Sequence, residues 1–414
     1  MEIVTHESVR RRGGGFSTCG CWYTDTEFVL KGLQIMCGIA GFVNDMPIDV
    51  KCPVLQRMTD MIAHRGPDSE GHYIDEHAAL GHRRLSIIDL GGGQQPIYNE
   101  DGSKVITFNG EIYNYQTLRE ELIAAGHTFT TKSDTEVLLH GYEQWGVDLL
   151  QRVRGMFTFV IWDKNKQELF GARDHFGIKP FYYAKMNGTF MYASEIKSLL
   201  RHPDFVKELN AEALKPYMTF QYPAIGETFF KGVYKLPEGH YFTYRDGKMD
   251  IHRYYDEDFR EGKQKLGELV NSIDQTVCDS VKAHQIADVE VGSFLSSGVD
   301  SSYVAAVARP QHTYSIGFGK GTYNESQQAG ELAELLKLNN TAESLTDEEA
   351  FAAFPRIQWH LDEPDSNPSC VPLYFLSALA AKDVKVVLSG EGATSCSPDT
   401  STTACTPNSS PSRW

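Results

Sequence analysis

Long apolar runs, excess basic charge and densely spaced cysteines are all missing from this 414-residue sequence. Without an apolar run of about 20 residues, we expect no membrane-spanning segment and no membrane partner. The 55 acidic residues outnumber the 39 basic ones and give a formal net charge of −16. That balance disfavours a nucleic-acid partner, because nucleic acids are polyanions. The eight scattered cysteines fit a reducing compartment such as the cytoplasm better than a disulfide framework.

The two terminal segments do not resemble the rest of the chain. Residues 1–35 contain an Arg triplet and a Gly triplet but no long periodic segment, so we expect a disordered extension. It is either a propeptide cut before Cys37 or a stretch that precedes a true start at Met36. Residues 394–414 are rich in Ser, Thr and Pro and have no apolar periodicity, which predicts a disordered tail.

The short apolar stretch Met36–Phe42 predicts a strand that carries one thiol at its head, on Cys37. If the chain were processed to begin at Cys37, that residue would carry a free α-amine beside its thiol. An α-amine has a reference pKa of about 8 and can act as a general base at neutral pH. One residue would then supply both nucleophile and base. The alternative is a buried Cys that packs as a small hydrophobic side chain.

Residues 36–225 form a first predicted domain in which strands outnumber helices. Apolar residues at helical spacing predict two or three helices between the strands. The string Ser133–Glu136 predicts a capping box that begins one of these helices. Many strands and few helices favour an α+β fold of stacked antiparallel sheets covered by helices. The predicted strands are 37–43, 80–88, 105–108, 156–162, 169–172, 181–184 and 189–193.

Three polar sites in this first domain suit work on an amino-acid amide. Asn109 and Gly110, at the end of a predicted strand, could aim an amide side chain and a backbone N–H at a developing oxyanion. Arg84 could grip a carboxylate, and Asp134 could take an ammonium group. Each site has a plainer explanation. Asn109-Gly110 could be a turn, Arg84 a surface cation and Asp134 a carboxylate in the first turn of a helix. Together with Cys37 they supply what hydrolysis of the glutamine amide requires.

Residues 226–393 form a second predicted domain of different character. Apolar residues from Leu266 to Val281 mark an amphipathic helix, and residues 289–295 predict a buried parallel strand. This strand runs into Ser296–Ser302, where small hydroxyl residues and a glycine precede a helix. Backbone N–H groups exposed at a helix N-terminus bind anions, so this loop suits a phosphate. It lacks the Gly-Lys-Ser/Thr of a Walker A loop, and the alternative is an ordinary Ser-rich turn.

Strands and helices go on alternating through this second domain. The alternation predicts an α/β fold with a doubly wound parallel sheet, whose ligands bind at the carboxyl ends of the strands. We expect Leu295 and Ile316 to flank an adenine, with Ser389 and Gly390 closing the site. The further predicted strands are 313–318 and 384–388, and the further predicted helices are 303–308, 325–337, 351–361 and 373–381.

Six strings of residues match one enzyme family in order and spacing. They are Met36–Gly41, His64–Asp68, Arg84–Ile87, Asn109–Asn114, Arg173-Asp174 with Gly177, and Ser296–Ser302. Over residues 36–393 the chain resembles a glutamine-hydrolysing asparagine synthetase. That family joins an N-terminal-nucleophile glutaminase, a class II glutamine amidotransferase domain, to an ATP-pyrophosphatase-type synthetase.

The resemblance implies a role for each matching residue. Cys37 would attack the glutamine amide with its α-amine as base, while Asn109 and Gly110 stabilise the oxyanion. ATP and Mg²⁺ would bind in the second domain, aspartate would be adenylated there, and ammonia from an internal tunnel would displace AMP. The implied glutamine-binding residues are Arg84, Leu85, Asn109, Glu111 and Asp134. The implied ATP-binding residues are Leu295, Ser296, Ser297, Gly298, Val299, Asp300, Ser301, Ser302, Ile316, Ser389 and Gly390. Asp300 would also be a candidate Mg²⁺ ligand, and Glu391 would help to form or use β-aspartyl-AMP.

The resemblance names glutamine, aspartate and ATP as partners, and a homodimer is the assembly to test for. Two departures from the family pattern matter. Ser297 stands where many relatives have Gly, which adds a side chain but leaves the backbone amides in place. After Ala393 the family continues with acidic residues, a Gly-rich turn and a long helical region, whereas residues 394–414 do not. We therefore expect a synthetase domain that lacks part of its walls, through a truncation or a frameshift.

Three alternatives stay open. An amidophosphoribosyltransferase also begins with such a Cys, but the Ser296–Ser302 loop disfavours it. A β-lactam synthetase shares the second domain but would not need Cys37, Asn109 and Arg84 together. A truncated product could keep glutaminase activity alone or be a non-catalytic fragment.

Overall fold

The computed structural model describes residues 36–223, 225–256, 264–319 and 325–391. The predictions made for residues 1–35 and 394–414 lie outside these ranges. The described residues form two compact units. The first holds the residues up to 256 together with Ala352–Ala381, and the second holds Gln264–Phe351 and the residues from Lys382 onward. Among the helices of the described ranges, none combines the length and the apolarity that a membrane crossing requires.

Two six-stranded antiparallel sheets build the first unit. Their strands are β1 (Gly38–Val43), β2 (Ser69–Ile74), β3 (Ala78–Arg84), β4 (Ile97–Tyr98), β5 (Lys104–Ile112), β6 (Gly155–Asp163), β7 (Glu168–Arg173), β8 (Tyr182–Met186), β9 (Thr189–Ala193), β10 (Val233–Lys235), β11 (His240–Arg245) and β12 (Lys248–Arg253). The order is β10-β8-β9-β1-β3-β2 in one sheet and β12-β11-β7-β6-β5-β4 in the other. The stacked antiparallel sheets that the sequence predicts are therefore confirmed.

Helices cover the outer faces of the two sheets. They are α1 (Ile48–Asp60), α2 (Tyr115–Ala124), α3 (Asp134–Trp145) and the single-turn α4 (Ile196–Leu199). A further short helix, α5 (Leu214–Phe220), has no buried residue. Alternation along β5 explains the layers, since successive side chains of a strand point to opposite faces. Val105 joins the core between the sheets with Ile39 and Trp162, whereas Ile106 joins the core under α2 and α3. A third core lies between α1 and the sheet that contains β1.

The first unit extends beyond the predicted boundary between residues 225 and 226. Strands β10, β11 and β12 follow that boundary and complete both sheets, with β10 paired to β8 and β11 to β7. The sequence reasoning did not identify these strands. A signal was present, because the turn between β11 and β12 is Asp246-Gly247 with positive φ at both residues (50° and 74°), as in a type I′ hairpin.

A four-stranded parallel sheet forms the centre of the second unit. Its strands are β13 (Val291–Phe294), β14 (His312–Phe318), β15 (Asn339–Leu345) and β16 (Val386–Leu388), and its helices include α6 (Leu266–His284), α7 (Val299–Ala308) and α8 (Ser326–Leu336). The order is β15-β14-β13-β16. The chain moves outward from β13 through β14 to β15 and then places β16 on the other side of β13. That reversal confirms the doubly wound α/β prediction and creates a switch point between β13 and β16.

Strand β15 was missed because its sequence is polar. It lies at one edge of the sheet, and most of its residues are exposed, so no apolar pattern marks it. Two helices follow it, α9 (Asp347–Leu361) and α10 (Cys370–Ala380). Their residues from Ala352 onward belong to the first unit, which the sequence pattern did not indicate.

Candidate active site

Cys37 lies directly before β1, beside the end of β3. The Leu85 backbone N–H donates to Cys37 Sγ at 3.4 Å, and the thiol lies 3.5 Å from the Leu85 carbonyl oxygen. Burial raises the pKa of the Cys37 thiol to about 11. The thiol is therefore protonated at neutral pH and needs a base before it can act as a nucleophile.

Arg84 and Asp134 line one pocket with Cys37. Arg84 ends β3, and its Nη2 donates to the carbonyl oxygens of Ile88 at 3.0 Å and Asp89 at 2.7 Å. Asp134 is the first residue of α3. Burial raises the pKa of Asp134 to about 6. The pocket is lined by Cys37, Arg84, Leu85, Ile87, Ile88, Gly93, Gln95, Phe108, Gly110, Glu111, Ser133, Asp134 and Thr135.

The predicted capping box at the start of α3 is only half formed. Ser133 Oγ accepts the N–H of Thr135 at 3.2 Å, as an N-cap should. The Glu136 carboxylate does not reach back to Ser133 but accepts the N–H groups of Thr130 and Thr131, each at 2.7 Å. Glu136 thus fixes the turn before the helix, and with it the end of α3 that faces the pocket.

Asn109 and Gly110 lie inside β5 rather than in a turn at its end. They pair with Thr158 and Phe157 of β6, and a Cβ on Gly110 would lie 2.1 Å from the Met156 carbonyl oxygen. Glycine is needed here because the two backbones approach closely. Neither side-chain polar atom of Asn109 has a hydrogen-bond partner among the described residues, although both are buried. Such orphaned atoms are costly, so the amide is suited to a ligand.

Glu111 is a second buried group with an orphaned atom. Its Oε2 has no hydrogen-bond partner among the described residues. Burial, reinforced by the charge of Asp134, raises the pKa of Glu111 well above its usual value, while Lys179 acts in the opposite direction. Ile112, the next residue, donates its N–H to Asp134 Oδ2 at 2.9 Å. Two buried carboxylic acids therefore share one side of the pocket, where a cationic group would compensate both.

Lys179 was missed by the sequence reasoning. Its side chain is buried, and Nζ contacts Sδ of Met36, the residue that precedes Cys37. Burial lowers the pKa of Lys179 to about 8, and Arg65 lowers it further, while Glu111 acts to raise it. A lysine between an Ile and a Pro, in a Gly-containing loop after a strand, was the available signal.

The Arg173-Asp174 string shapes the loop that carries Lys179. The Asp174 carboxylate accepts the N–H groups of Phe176 at 3.1 Å, Ile178 at 2.9 Å and Lys179 at 2.9 Å. Arg173 Nε donates to the Lys179 carbonyl oxygen at 2.8 Å. This string therefore holds a loop in place and does not line the pocket.

In the second unit, the Ser296–Ser302 loop follows β13 and opens α7, with Gly298 as its N-cap. Ser296 Oγ lies 2.8 Å from Ser301 Oγ and accepts the Gly298 N–H at 3.1 Å. These bonds fold the loop tightly and leave the first turn of α7 at the carboxyl end of β13. The N–H groups of a first turn have no intrahelical partner, which makes this helix end suitable for phosphate.

Ser389 and Gly390 meet the same loop from the neighbouring strand β16. A Cβ on Gly390 would lie 2.6 Å from the Ser301 backbone nitrogen, so only glycine allows this approach. Glu391 is exposed and donates its N–H to Ser389 Oγ at 3.0 Å. The structure thus brings the ends of β13 and β16 together at the switch point.

The other residues predicted to bind the nucleotide lie toward the carboxyl ends of the strands of this sheet. Leu295 is buried directly after β13, and Ile316 is half-buried in the neighbouring β14. Ser297 and Val299 are exposed, and Asp300 lies in the first turn of α7. One carboxylate combined with phosphate oxygens is a typical Mg²⁺ ligand set, so Asp300 fits the predicted ion as a single ligand.

Comparison with known proteins gives two domain matches along the chain. Residues 36–255 match the model of the glutamine amidotransferase domain, and residues 272–395 match that of asparagine synthase. The chain is 44% identical to the glutamine-hydrolysing asparagine synthetase 1 of Bacillus subtilis, over 86% of this chain and 58% of the relative. It is 33% identical to a protein of Methanocaldococcus jannaschii named for the same activity, over 86% of this chain and 74% of the relative.

The chain belongs to the glutamine-hydrolysing asparagine synthetase family. It spans 58% of the length of the Bacillus subtilis family member. Among solved structures, a glutamine phosphoribosylpyrophosphate amidotransferase of Bacillus subtilis aligns with a TM-score of 0.40 and 15% identity, over 74% of this chain and 65% of that chain.

Proposed function

We propose that this chain hydrolyses glutamine at Cys37 and uses the released ammonia, with ATP, to convert aspartate into asparagine. The main support for glutamine hydrolysis is the buried side-chain amide of Asn109, which has no hydrogen-bond partner among the described residues. Asn109 lies in β5, and the next two residues of that strand, Gly110 and Glu111, line the pocket with Cys37. A buried polar group without a partner is stabilised when a ligand supplies one, and a developing oxyanion is such a partner.

In the proposed glutaminase step, the Cys37 thiol attacks the carbonyl carbon of the glutamine side chain. Because burial keeps the thiol protonated, a base must take its proton. A free α-amine on Cys37 would be that base. The Asn109 side chain and the Gly110 N–H would then stabilise the negative oxygen. The step therefore requires that Cys37 be the first residue of the working enzyme.

The amino-acid end of glutamine would lie between groups of complementary charge. Arg84, whose guanidinium is held by two loop carbonyls, would bind the α-carboxylate, with Leu85 beside it. Glu111 and Asp134 would bind the α-ammonium. Their raised pKa values support this assignment, because an added cation between two buried carboxyl groups would stabilise both ionised forms.

The proposed synthetase step uses the second unit. ATP supplies the chemical activation of the aspartate carboxylate when it is bound. The Ser296–Ser302 loop and Gly390 would hold its phosphates at the switch point of the sheet, and Asp300 would hold Mg²⁺. Leu295 and Ile316 would contact the adenine, and Ser389 and Glu391 would border the reacting groups.

Three measurements test the proposal. Glutamate release from glutamine should occur in a chain that begins at Cys37 and disappear in Cys37→Ala. Pyrophosphate release from ATP should depend on aspartate, and asparagine should form when glutamine or ammonium is added. A chain that releases no glutamate from glutamine would contradict the first half. Pyrophosphate release that is indifferent to aspartate would contradict the second.

A further inference from the structure

Two histidines and two glutamates of the first unit converge at a place that is not part of the glutamine pocket. Glu100 lies in the turn between β4 and β5, His127 lies between α2 and α3, and His140 and Glu143 lie on α3. One donor atom from each residue lies within 4.8 Å of the other three. We call this group the His/Glu cluster. His140 is fully buried, and the others are half-buried or exposed.

Both carboxylates of the cluster face imidazole Nδ1 atoms. Glu100 Oε1 lies 3.1 Å from His127 Nδ1, and Glu100 Oε2 lies 3.3 Å from His140 Nδ1. Glu143 Oε2 lies 3.2 Å from the same His140 Nδ1. The other oxygen of Glu143, Oε1, accepts a hydrogen bond from Asn99 Nδ2 at 2.6 Å and lies 3.5 Å from Lys104 Nζ. These two groups therefore bind a different oxygen from the one that faces the His140 ring.

The outer nitrogen of each ring also faces an acceptor. His127 Nε2 lies 3.3 Å from Gln144 Oε1, and His140 Nε2 lies 3.4 Å from Glu136 Oε1. An acceptor at Nε2 requires the ring proton there, and in a neutral imidazole the lone pair then lies on Nδ1. Each Nδ1 lone pair would therefore point at carboxylate oxygens, which are acceptors as well. A cation between these acceptors would satisfy all of them.

Two kinds of cation could satisfy the cluster. Additional protons would satisfy it, but protons on both rings would place two imidazolium cations with ring centroids only 5.1 Å apart. A divalent metal ion satisfies all four donors with both rings neutral, and outward hydrogen bonds at Nε2 are the usual support of a metal-bound histidine.

We propose that the His/Glu cluster binds one Zn²⁺ through Nδ1 of His127 and His140 and one oxygen each of Glu100 and Glu143. Imidazole nitrogen and carboxylate oxygen are regular zinc ligands, and four protein ligands leave no open position, which is typical of a structural site. The ion would tie the β4–β5 turn and the α2–α3 connection to α3. Because α3 begins at Asp134, the ion would steady one wall of the glutamine pocket from outside.

The test uses the full chain, stripped of metal with a chelator and titrated with Zn²⁺. His127→Gln removes the Nδ1 ligand but keeps an amide N–H that can reach Gln144, and Glu100→Gln removes the negative oxygen with little change of shape. His77→Gln is the matched control, because His77 is a partly exposed ring whose Nδ1 lies 3.3 Å from Asp45 in the same unit. His140 is left intact because it is fully buried and its loss could unfold the chain.

The wild-type chain and His77→Gln should each retain one tightly bound Zn²⁺ and melt at a higher temperature with zinc than without. His127→Gln and Glu100→Gln should bind it at least about 100-fold more weakly and show no shift in melting temperature. The chain's cysteine thiols could also take zinc. The Co²⁺-substituted protein should therefore show the visible bands of a tetrahedral nitrogen and oxygen site, without sulfur charge-transfer bands. No zinc binding, equal binding by all four chains, or a thiolate spectrum would overturn the proposal.

Discussion

Arg65 links Glu195 to the backbone of Cys37. Its Nη1 lies 3.0 Å from Glu195 Oε1, with the two side chains only 8% and 7% exposed. Its Nε donates a hydrogen bond to the Cys37 carbonyl oxygen at 3.1 Å. A buried ion pair thus holds the residue that the proposed mechanism uses as nucleophile, and the pair is formed by parts of the chain that are far apart in sequence.

The ion pair continues into a larger buried network. Glu195 Oε1 also lies 3.0 Å from His64 Nε2, and Glu195 Oε2 lies 2.6 Å from Lys197 Nζ. Lys197 Nζ lies 2.9 Å from Asp362 Oδ1, and Asp362 belongs to the segment Ala352–Ala381 of the first unit. The unit that carries Cys37 therefore includes a segment that the family comparison assigns to asparagine synthase.

Replacing Glu195 by Gln should destabilise the first unit strongly. The change leaves Arg65 and Lys197 buried without their shared carboxylate, and breaking such a buried pair typically costs about 3–5 kcal/mol of unfolding free energy. Urea denaturation measures the loss. Glu208→Gln is the control, because Glu208 and Lys231 form a pair at 2.6 Å with both side chains more than half exposed. Solvent screens such a pair, so its loss should change the unfolding free energy little. Equal losses in the two variants would contradict the importance of the buried network.

Asn109→Ala should lower glutamine hydrolysis by about 10²–10³ in kcat, the usual effect of losing one oxyanion donor. Cys37→Ala should abolish the reaction in the same assay. Asn165, which is exposed in the turn after β6, provides a control, and Asn165→Ala should leave the rate unchanged. An Asn109→Ala chain that keeps wild-type kcat would remove the amide from the mechanism.

Arg84 and Asp134 should act mainly through substrate binding. We expect Arg84→Gln and Asp134→Asn to raise KM more than they lower kcat, since contacts to the α-carboxylate and α-amine are the same in the ground and transition states. Steady-state kinetics with glutamine give the two constants. A simple amide without α-groups should react poorly with the wild-type chain. Comparable activity on glutamine and on the simple amide would argue against substrate binding through Arg84 and Asp134.

Lys179 should set the pH range of the glutaminase. Its charged and titratable neighbours are Arg65, Glu111, Asp174 and Cys37. A cation beside the Cys37 α-amine disfavours the ammonium form and so lowers its pKa, and it also favours the thiolate. Removing that cation in Lys179→Met should raise both pKa values and shift the acidic limb of kcat/KM upward by about one pH unit.

The rate lost by Lys179→Met near neutral pH should therefore return at higher pH. Lys179→Arg should keep the wild-type profile, because it keeps the charge. A variant that is slower by the same factor at every pH would indicate a purely structural role for Lys179. The burial that lowers the pKa of Lys179 to about 8 also predicts that its own charge, and this effect, fade above that pH.

Gly390→Ala should impair the synthetase site without affecting glutamine hydrolysis. The added Cβ would lie 2.6 Å from the Ser301 nitrogen and 2.9 Å from the Asp300 carbonyl carbon, so the loop at α7 would have to move. We expect aspartate-dependent pyrophosphate release to fall by at least about tenfold, a loss of about 1.4 kcal/mol of transition-state stabilisation. Gly330→Ala on α8 is the control, because a Cβ there meets nothing within 4 Å. Equal rates in the two variants would argue against phosphate binding at this loop.

Local sequence patterns were sufficient for the general architecture. Apolar residues spaced two apart predicted strands such as β1, β6 and β9, and apolar residues spaced 3.6 apart predicted helices such as α6. The predicted bounds lie close to the observed ones. These spacing patterns failed for strands whose residues are not typical of a buried strand. The edge strand β15 is polar, and β5 continues through Asn109 and Gly110, two residues that in isolation favour a turn.

The sequence by itself determined the order of the motifs, the nucleophile candidate Cys37 and the two kinds of sheet, because each depends on neighbouring residues. Tertiary structure alone decided that Glu111 and Asp134 share one wall of the pocket, that Lys179 lies beside Cys37, and that Asp362 completes the network around Arg65. These groups meet only through strand pairing and packing. Burial shifts the pKa values of Glu111, Asp134, Lys179 and Asp362, and burial is a property that no short stretch of sequence carries.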